Sequence, residues 1–223
     1  MRRSWWNTAV GIVLTALMLF PAYWMINISF TNRASIRESQ LLPFDFTLDH
    51  YRVVLSEQLP YLGTSVMIGI GTVLLTLLIS APAGFGLAKL ALPGGRGMNF
   101  VLIVSQMIPA VVMSLGFYTL YVKFGLLNTV PGLIVADSTI AVPFATMLFT
   151  AFMHGIPREL MEAARLDRAS HTRTFLSVVL PISRNVTITV ALFAFLWAWS
   201  DFLFASSLNR EGESAIVCTL RPG

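Results

Sequence analysis

Glu162-Ala163-Ala164-Arg165-Leu166-Asp167-Arg168-Ala169, followed by Leu180-Pro181, is a charged, helix-prone island set between two long apolar runs. Such a segment has no place in lipid, so it faces water. The runs around it belong to the membrane. Of 223 residues, 56% are hydrophobic and only 12% charged, against about 25% charged in an ordinary soluble domain, and mean hydropathy is +0.73. A soluble core of this size needs polar residues to cover it. Here long stretches contain none, which argues for several spanning helices and against a globular enzyme.

Runs of about 20 apolar residues give five candidate spans, at residues 8–30, 62–88, 99–122, 131–153 and 186–208. The expected fold is an all-α polytopic membrane protein, one transmembrane domain over 1–223. Its parts are a first helix at 8–30, an external loop at 31–61 and a core at 62–223. The start, Met1-Arg2-Arg3 before an apolar run, is similar to a secretory signal. The run continues through Tyr23, Trp24 and Met25 with no small-residue cleavage site, so it reads as an uncleaved first helix. Pro109 and Pro143, inside the third and fourth spans, each remove a helical hydrogen bond and favour a kink. With the N-terminus inside, nine of the 15 basic residues fall on the inner side and six on the outer, which places the N-terminus in the cytoplasm.

The net charge of +4 is scattered over short loops and forms no stripe, so no nucleic-acid partner is expected. A single cysteine, Cys218, rules out an internal disulfide framework. His50, His154 and His171 lack metal-ligand spacing, so no metal site is expected. Pro93, Gly94, Gly95 and Gly97 make a tight internal turn; no Gly-Lys-Ser or Gly-Lys-Thr follows to cradle a phosphate. In the external loop, residues 41–44 and Tyr51 either fold against the membrane surface or form an ordered connector.

On that topology residues 154–181 form a cytoplasmic loop. Pro157 suits a first helical position and Glu159 a first turn, near the positive end of the helix dipole, so a helix is expected over 158–168. At helical spacing Leu160, Ala163, Ala164 and Asp167 share one face, with Glu159, Glu162 and Arg165 on a neighbouring one. Two alanines let another protein's surface come close, while Glu162 and Asp167 offer carboxylates to it. A short amphipathic helix of this kind either docks a partner or rests on the inner leaflet. The residues alone leave both open.

Glu162-Ala163-Ala164, Asp167, Ala169, Phe175 and Leu180-Pro181 resemble the EAA loop of permease subunits of bacterial ATP-binding-cassette importers. Further pieces resemble the sugar-importer, maltose-type branch: Leu48-Asp49-His50-Tyr51, Gly86-Leu87-Ala88-Lys89, Met107-Ile108-Pro109 and Gly125-Leu126-Leu127-Asn128-Thr129. They cover nearly the whole chain in order. The resemblance implies a type I importer transmembrane domain in the bacterial inner membrane, forming half of a translocation path for a carbohydrate. It implies three partners: a homologous permease, a dimer of cytoplasmic ATPases and an extracytoplasmic solute-binding protein. It also implies that Glu159, Glu162, Ala163, Ala164, Leu166 and Asp167 form a coupling helix seated in the ATPase. ATP and Mg are handled by that ATPase; this chain has no phosphate loop and is expected to bind no cofactor and catalyse no reaction. Competing readings are an importer for another solute, such as a polyamine, phosphate ester or peptide, and a channel or secondary transporter without an ATPase.

This sequence departs from the family's pattern in three places. Arg168 stands where glycine is usual and Asn185 where a second proline is usual, so the helix through Arg165 is expected to run on. The family commonly has six spans; with five read here, the last helix is expected to be lacking.

Four polar residues are candidates for the translocation path: Asp201 and Ser200 in the fifth span, Asp137 in the fourth and Gln106 in the third. An intramembrane carboxylate costs roughly 3 kcal/mol unless it is paired or faces water, which makes Asp201 a functional candidate by default. The competing reading is structural: interhelical hydrogen bonds for these residues and for Ser105, Ser138 and Thr139, and an interfacial belt for Trp197 and Trp199. Gly63, Gly69, Gly71, Gly84 and Gly86 mark a face for close helix contact, where a partner subunit is expected to press.

Overall fold

Helices make up most of the computed structural model, which describes residues 5–31, 46–90 and 94–209. Among the described residues one isolated antiparallel bridge, Thr31 to Phe46, is the β contact. The chain divides into two compact units, Met1–Leu59 and Pro60–Gly223.

In the first unit α1 (Trp5–Ser29) runs through Pro21 and is apolar on every side. Its Thr8–Ser29 stretch, 22 residues at a mean hydropathy of 2.0, is long enough to cross a bilayer. A second helix, α2 (Asp49–Glu57), begins within Leu48-Asp49-His50-Tyr51, and the structure shows what that motif does. Thr47 Oγ1 donates to Asp49 Oδ2 at 2.9 Å and accepts the Asp49 amide at 3.1 Å. His50 Nε2 donates to Thr31 O at 3.1 Å, and Tyr51 Oη lies 2.8 Å from Ser29 Oγ. The Tyr51 and Phe46 rings stand 5.2 and 5.1 Å from Phe30. The motif therefore ties the loop to the end of α1. Tyr51 packs on Phe30; residues 41–44 lie outside the described residues.

The second unit starts with α3 (Leu59–Lys89), 31 residues that run through Pro82 over about 46 Å. Next come α4 (Gly95–Ser105) and α5 (Ala110–Phe124), then α6 (Val130–His154). After α7 (Arg158–Leu166) the chain passes through α8 (His171–Thr174), a π turn at Phe175–Val179, α9 (Leu180–Ile182), α10 (Arg184–Ser200) and α11 (Leu203–Leu208). Three helices are long and apolar enough to cross a membrane, or up to five if each bent pair counts as one span.

Two expected spans differ. The third is broken, with α4 and α5 meeting at 93°. Gln106 and Met107 close i→i+3 bonds to Ile103 O and Val104 O at 3.2 and 3.0 Å, and Pro109, at ψ 134°, starts α5 afresh. Proline lacks the amide that would continue the ladder and disfavours helical geometry in the residue before it. Pro143 does the opposite: α6 runs through it unbroken. The fifth span stops at Ser200, and its helix joins the preceding His171–Ile182 segment at 80°.

The core forms two clusters near the two ends of α6. One joins Phe85, Phe149, Met153, Ile156, Val179 and Val190, with Met161 and Phe175 packed on it. The other joins Ile68, Tyr121, Leu133, Ala136, Phe204 and Leu208. Three of the α3 glycines serve this packing. A Cβ on Gly84 would meet Phe149 Cβ at 2.5 Å, one on Gly69 would meet the Phe195 ring at 2.7 Å, and Gly71 faces Ile134. The expectation that a partner subunit presses there is corrected at those three: the chain's own helices fill the space. Gly63 has open space around it.

Candidate functional site

The cytoplasmic island is built from a helix with two well-defined ends. Pro157 sits just outside α7 in an extended conformation, one position earlier than expected, and Glu159 occupies the first turn. At the other end the helix does not run on. Arg168 adopts φ 53°, in the left-handed region. Its amide donates to Arg165 O at 2.9 Å, and the Ala169 amide donates to Ala164 O at 3.0 Å. These two bonds make a Schellman stop, with arginine in the position that glycine usually fills. Ser170 then caps the next turn, accepting the Arg173 amide at 3.2 Å.

The two alanines part company. Ala164 is turned inward and is 8% exposed, beside the half-buried Met161 of the core, so it does not share a free face with Ala163. Glu159, Glu162, Ala163 and Asp167 are exposed, and Leu166 is 86% exposed. The base of the loop is fixed as well: Ile156 is buried, and Lys89 Nζ, at the end of α3, donates to Ile156 O at 2.6 Å.

A second candidate site is a cleft of about 300 Å³ lined by Asp137, Ile140, Trp197, Ser200, Asp201, Phe202 and Leu203. Asp201 ends α10 and starts α11: its Oδ1 accepts the Phe204 amide at 3.2 Å and its Oδ2 the Ala205 amide at 2.9 Å. That satisfies donors a helix start leaves open. Ser200 Oγ donates to Leu196 O at 2.7 Å. Asp137 is 4% exposed, and its Oδ2 has no hydrogen-bond partner among the described residues. Its neighbours Ser138 and Thr139 each donate to their own helix, to Ile134 O and Ala136 O, both at 2.6 Å.

The loop before α6 holds the cleft's neighbourhood in place. Gly125 ends α5 at φ 67°, and Asn128, also left-handed at φ 58°, donates its amide to Leu208 O at 3.0 Å. Thr129 Oγ1 accepts the Gly132 amide at 3.1 Å, and Tyr121 Oη donates to Gly132 O at 2.8 Å. Gly125-Leu126-Leu127-Asn128-Thr129 thus joins α5, α6 and α11.

The family model for the binding-protein-dependent transport system inner membrane component matches residues 80–216. This chain belongs to that family. Trehalose transport system permease protein SugB of Mycobacterium tuberculosis is 29% identical over 210 residues, spanning 93% of this chain and 77% of that protein. Arabinooligosaccharides transport system permease protein AraQ of Halalkalibacterium halodurans is 30% identical, spanning 93% and 77%. In fold, the chain matches a subunit in the crystal structure of a bacterial ABC transporter involved in the import of the acidic polysaccharide alginate. The TM-score is 0.83 at 21% identity, covering 93% of this chain and 74% of that one. The permease is thus a multi-pass inner-membrane transport component of the sugar-importer branch. Membership implies an ATPase and a solute-binding protein as partners.

In this permease three of the four expected path residues, Asp137, Ser200 and Asp201, line one cleft. Gln106 is apart from it: it lies exposed at the α4–α5 break, and its Nε2 donates to Leu102 O at 3.2 Å and to Met147 Sδ at 3.1 Å. Trp197, for which the sequence offered an interfacial belt as one of two readings, lines the cleft beside both carboxylates. Sequence reading missed Lys89 as a tether. A second omission is a row on α3 in which Thr72, Thr76 and Ser80 are wholly buried, their hydroxyl oxygens without a partner among the described residues. Their spacing of four residues was the available signal.

Proposed function

We propose that this permease forms half of the translocation path for a carbohydrate, beside a homologous permease, and takes its stroke from a dimer of cytoplasmic ATPases docked on α7. The observation that carries this reading is the free side of that helix. Leu166 stands 86% exposed at a firmly stopped helix end, with exposed Glu159, Glu162, Ala163 and Asp167 nearby. Leu166 is flanked by exposed carboxylates (Glu162, Asp167) and exposed arginines (Arg165, Arg168) alike, a mixed-charge rim around an apolar side chain that suits a protein cleft able to pair with both signs. Ala164 belongs to the inward side and holds the helix to its own core. The N-terminus lies in the cytoplasm, which puts α7 on the ATPase side. ATP and Mg are used there, and this chain catalyses no reaction. The names of the trehalose and arabinooligosaccharide relatives support a sugar as cargo. The path runs past Asp137, Ser200 and Asp201.

Glu162→Lys tests the docking. Reversing one charge at a close contact is expected to reduce ATPase co-purification by about tenfold, while the chain still inserts into membranes. Co-purification and uptake both at the level of the unmodified chain would sink this reading.

A further inference from the structure

The helix before it holds α2 at a fixed depth. The apolar stretch Thr8–Ser29 of α1 has 22 residues and so spans about 33 Å, close to the roughly 30 Å of a hydrocarbon core. Little slack is left, so Ser29 lies at one boundary between lipid and water. Aromatic rings mark both ends of the stretch, with exposed Trp5 and Trp6 at one and the stacked Phe30, Phe46 and Tyr51 at the other. Three hydrogen bonds tie the start of α2 to that second end: Tyr51 Oη with Ser29 Oγ, His50 Nε2 to Thr31 O, and the Thr47 amide to Phe30 O at 2.9 Å. The far end of α2 passes through Gln58 into α3, whose apolar stretch begins at Tyr61. Because α3 is the next span, it enters the bilayer from the side where α1 left it. Both ends of α2 thus belong to one boundary, and its axis runs along it.

We propose that α2 is an interfacial helix, resting its Tyr51, Val54 and Leu55 side on the lipid surface at the Ser29 end of α1. At helical spacing these three residues share one side, while Asp49, Arg52 and Ser56 occupy the other, where Val53 is the exception. No residue of α2 is buried by the described chain, and Val54 and Leu55 are exposed. Exposed Phe46 and Leu48 extend the apolar side towards α1, whose Met25 and Ile26 are exposed as well. The patch is therefore continuous with the surface that α1 presents to acyl chains, and at this depth the same lipid covers it. Its attraction is apolar. Arg52 is the one basic residue apart from His50 in α2, set against Asp49 and Glu57, so anionic headgroups are not needed to hold it.

Nitroxide labels on single cysteines test this in the full chain, purified with its accompanying subunits and placed in phosphatidylcholine vesicles, which carry no net charge. Cys218→Ser and replacement of any partner cysteines clear the background. Val54→Cys, Leu55→Cys and Ser56→Cys are labelled, and relaxation is read with oxygen, which concentrates in lipid, and with a neutral nickel chelate, which stays in water. Labels at Val54 and Leu55 are expected to respond to oxygen and lose the nickel response, and the label at Ser56 to do the reverse. Should one label on the apolar side prevent assembly, the other decides. Nickel reaching Leu55 as freely as Ser56 would overturn the inference, since the face would then stand in water. Shielding of Leu55 from both agents would overturn it too, because a protein surface and not lipid would then cover the helix.

Discussion

Replacing Arg168 by glycine should tighten the end of α7, and the size of the effect follows from its backbone. A residue with a Cβ held at φ 53° bears about 1–2 kcal/mol of left-handed strain. Glycine relieves it but adds freedom to the opened loop, which takes back roughly 0.5–1 kcal/mol. The net gain is about 0.5–1 kcal/mol, a two- to fivefold drop in the local opening constant. The Arg168 side chain is exposed, so little packing is lost with it. Hydrogen exchange reads the change at one place, the Ala169 amide bound to Ala164 O at 3.0 Å. Arg168→Gly slows exchange there two- to fivefold, and Arg168→Val, β-branched and more strained in this conformation, speeds it. Exchange as fast in the glycine variant as in the unmodified chain, with valine also without effect, would refute a Schellman stop at this position.

Gly84→Ala is expected to destabilise the second unit by about 1–3 kcal/mol, since its Cβ would sit 2.5 Å from Phe149 Cβ and 3.1 Å from the Thr150 amide nitrogen. Gly63→Ala, with open space around it, leaves the thermal midpoint in place; a shared shift for both would show that helix propensity, not contact, governs. Tyr121→Phe strips the donor from Gly132 O and costs about 1 kcal/mol, read as a lower midpoint in a detergent melt and absent if water replaces the hydroxyl. Asp201→Ala removes the acceptor for the Phe204 and Ala205 amides and costs about 0.5–2 kcal/mol, whereas Asp201→Asn keeps most of the cap. Equal loss in the two variants would mean that charge, not capping, is what α11 needs.

Much of the fold was legible because a bilayer imposes a length. The helices α1, α3 and α6 follow from runs of apolar residues, and the water-facing island follows from its charges. What escaped depends on contacts that no local pattern records. Pro109 and Pro143 look alike in apolar surroundings, yet one follows a tightened i→i+3 turn and restarts a helix while the other rides inside α6. Ala163 and Ala164 are chemically identical, yet Ala164 is buried and Ala163 exposed because the core, with Met161 packed on it, takes one side of α7. Hydropathy did not register that Asp201 caps a helix, so the fifth span was drawn through it. The cleft needed α6 and α10 side by side before Asp137 and Trp197 could be seen to face the same space.

The bond from Lys89 to Ile156 O gives the loop below α6 a fulcrum. With α7 as the proposed receiver of an ATPase stroke, a pinned base turns a push near Leu166 into a tilt of α3 and α6 together, without letting the loop swing on its own. Slack at that joint would leave the motor running idle, spending nucleotide while the cargo stays where it is. That joint, one ammonium group reaching one carbonyl beside the buried Ile156, lies outside the proposed docking face.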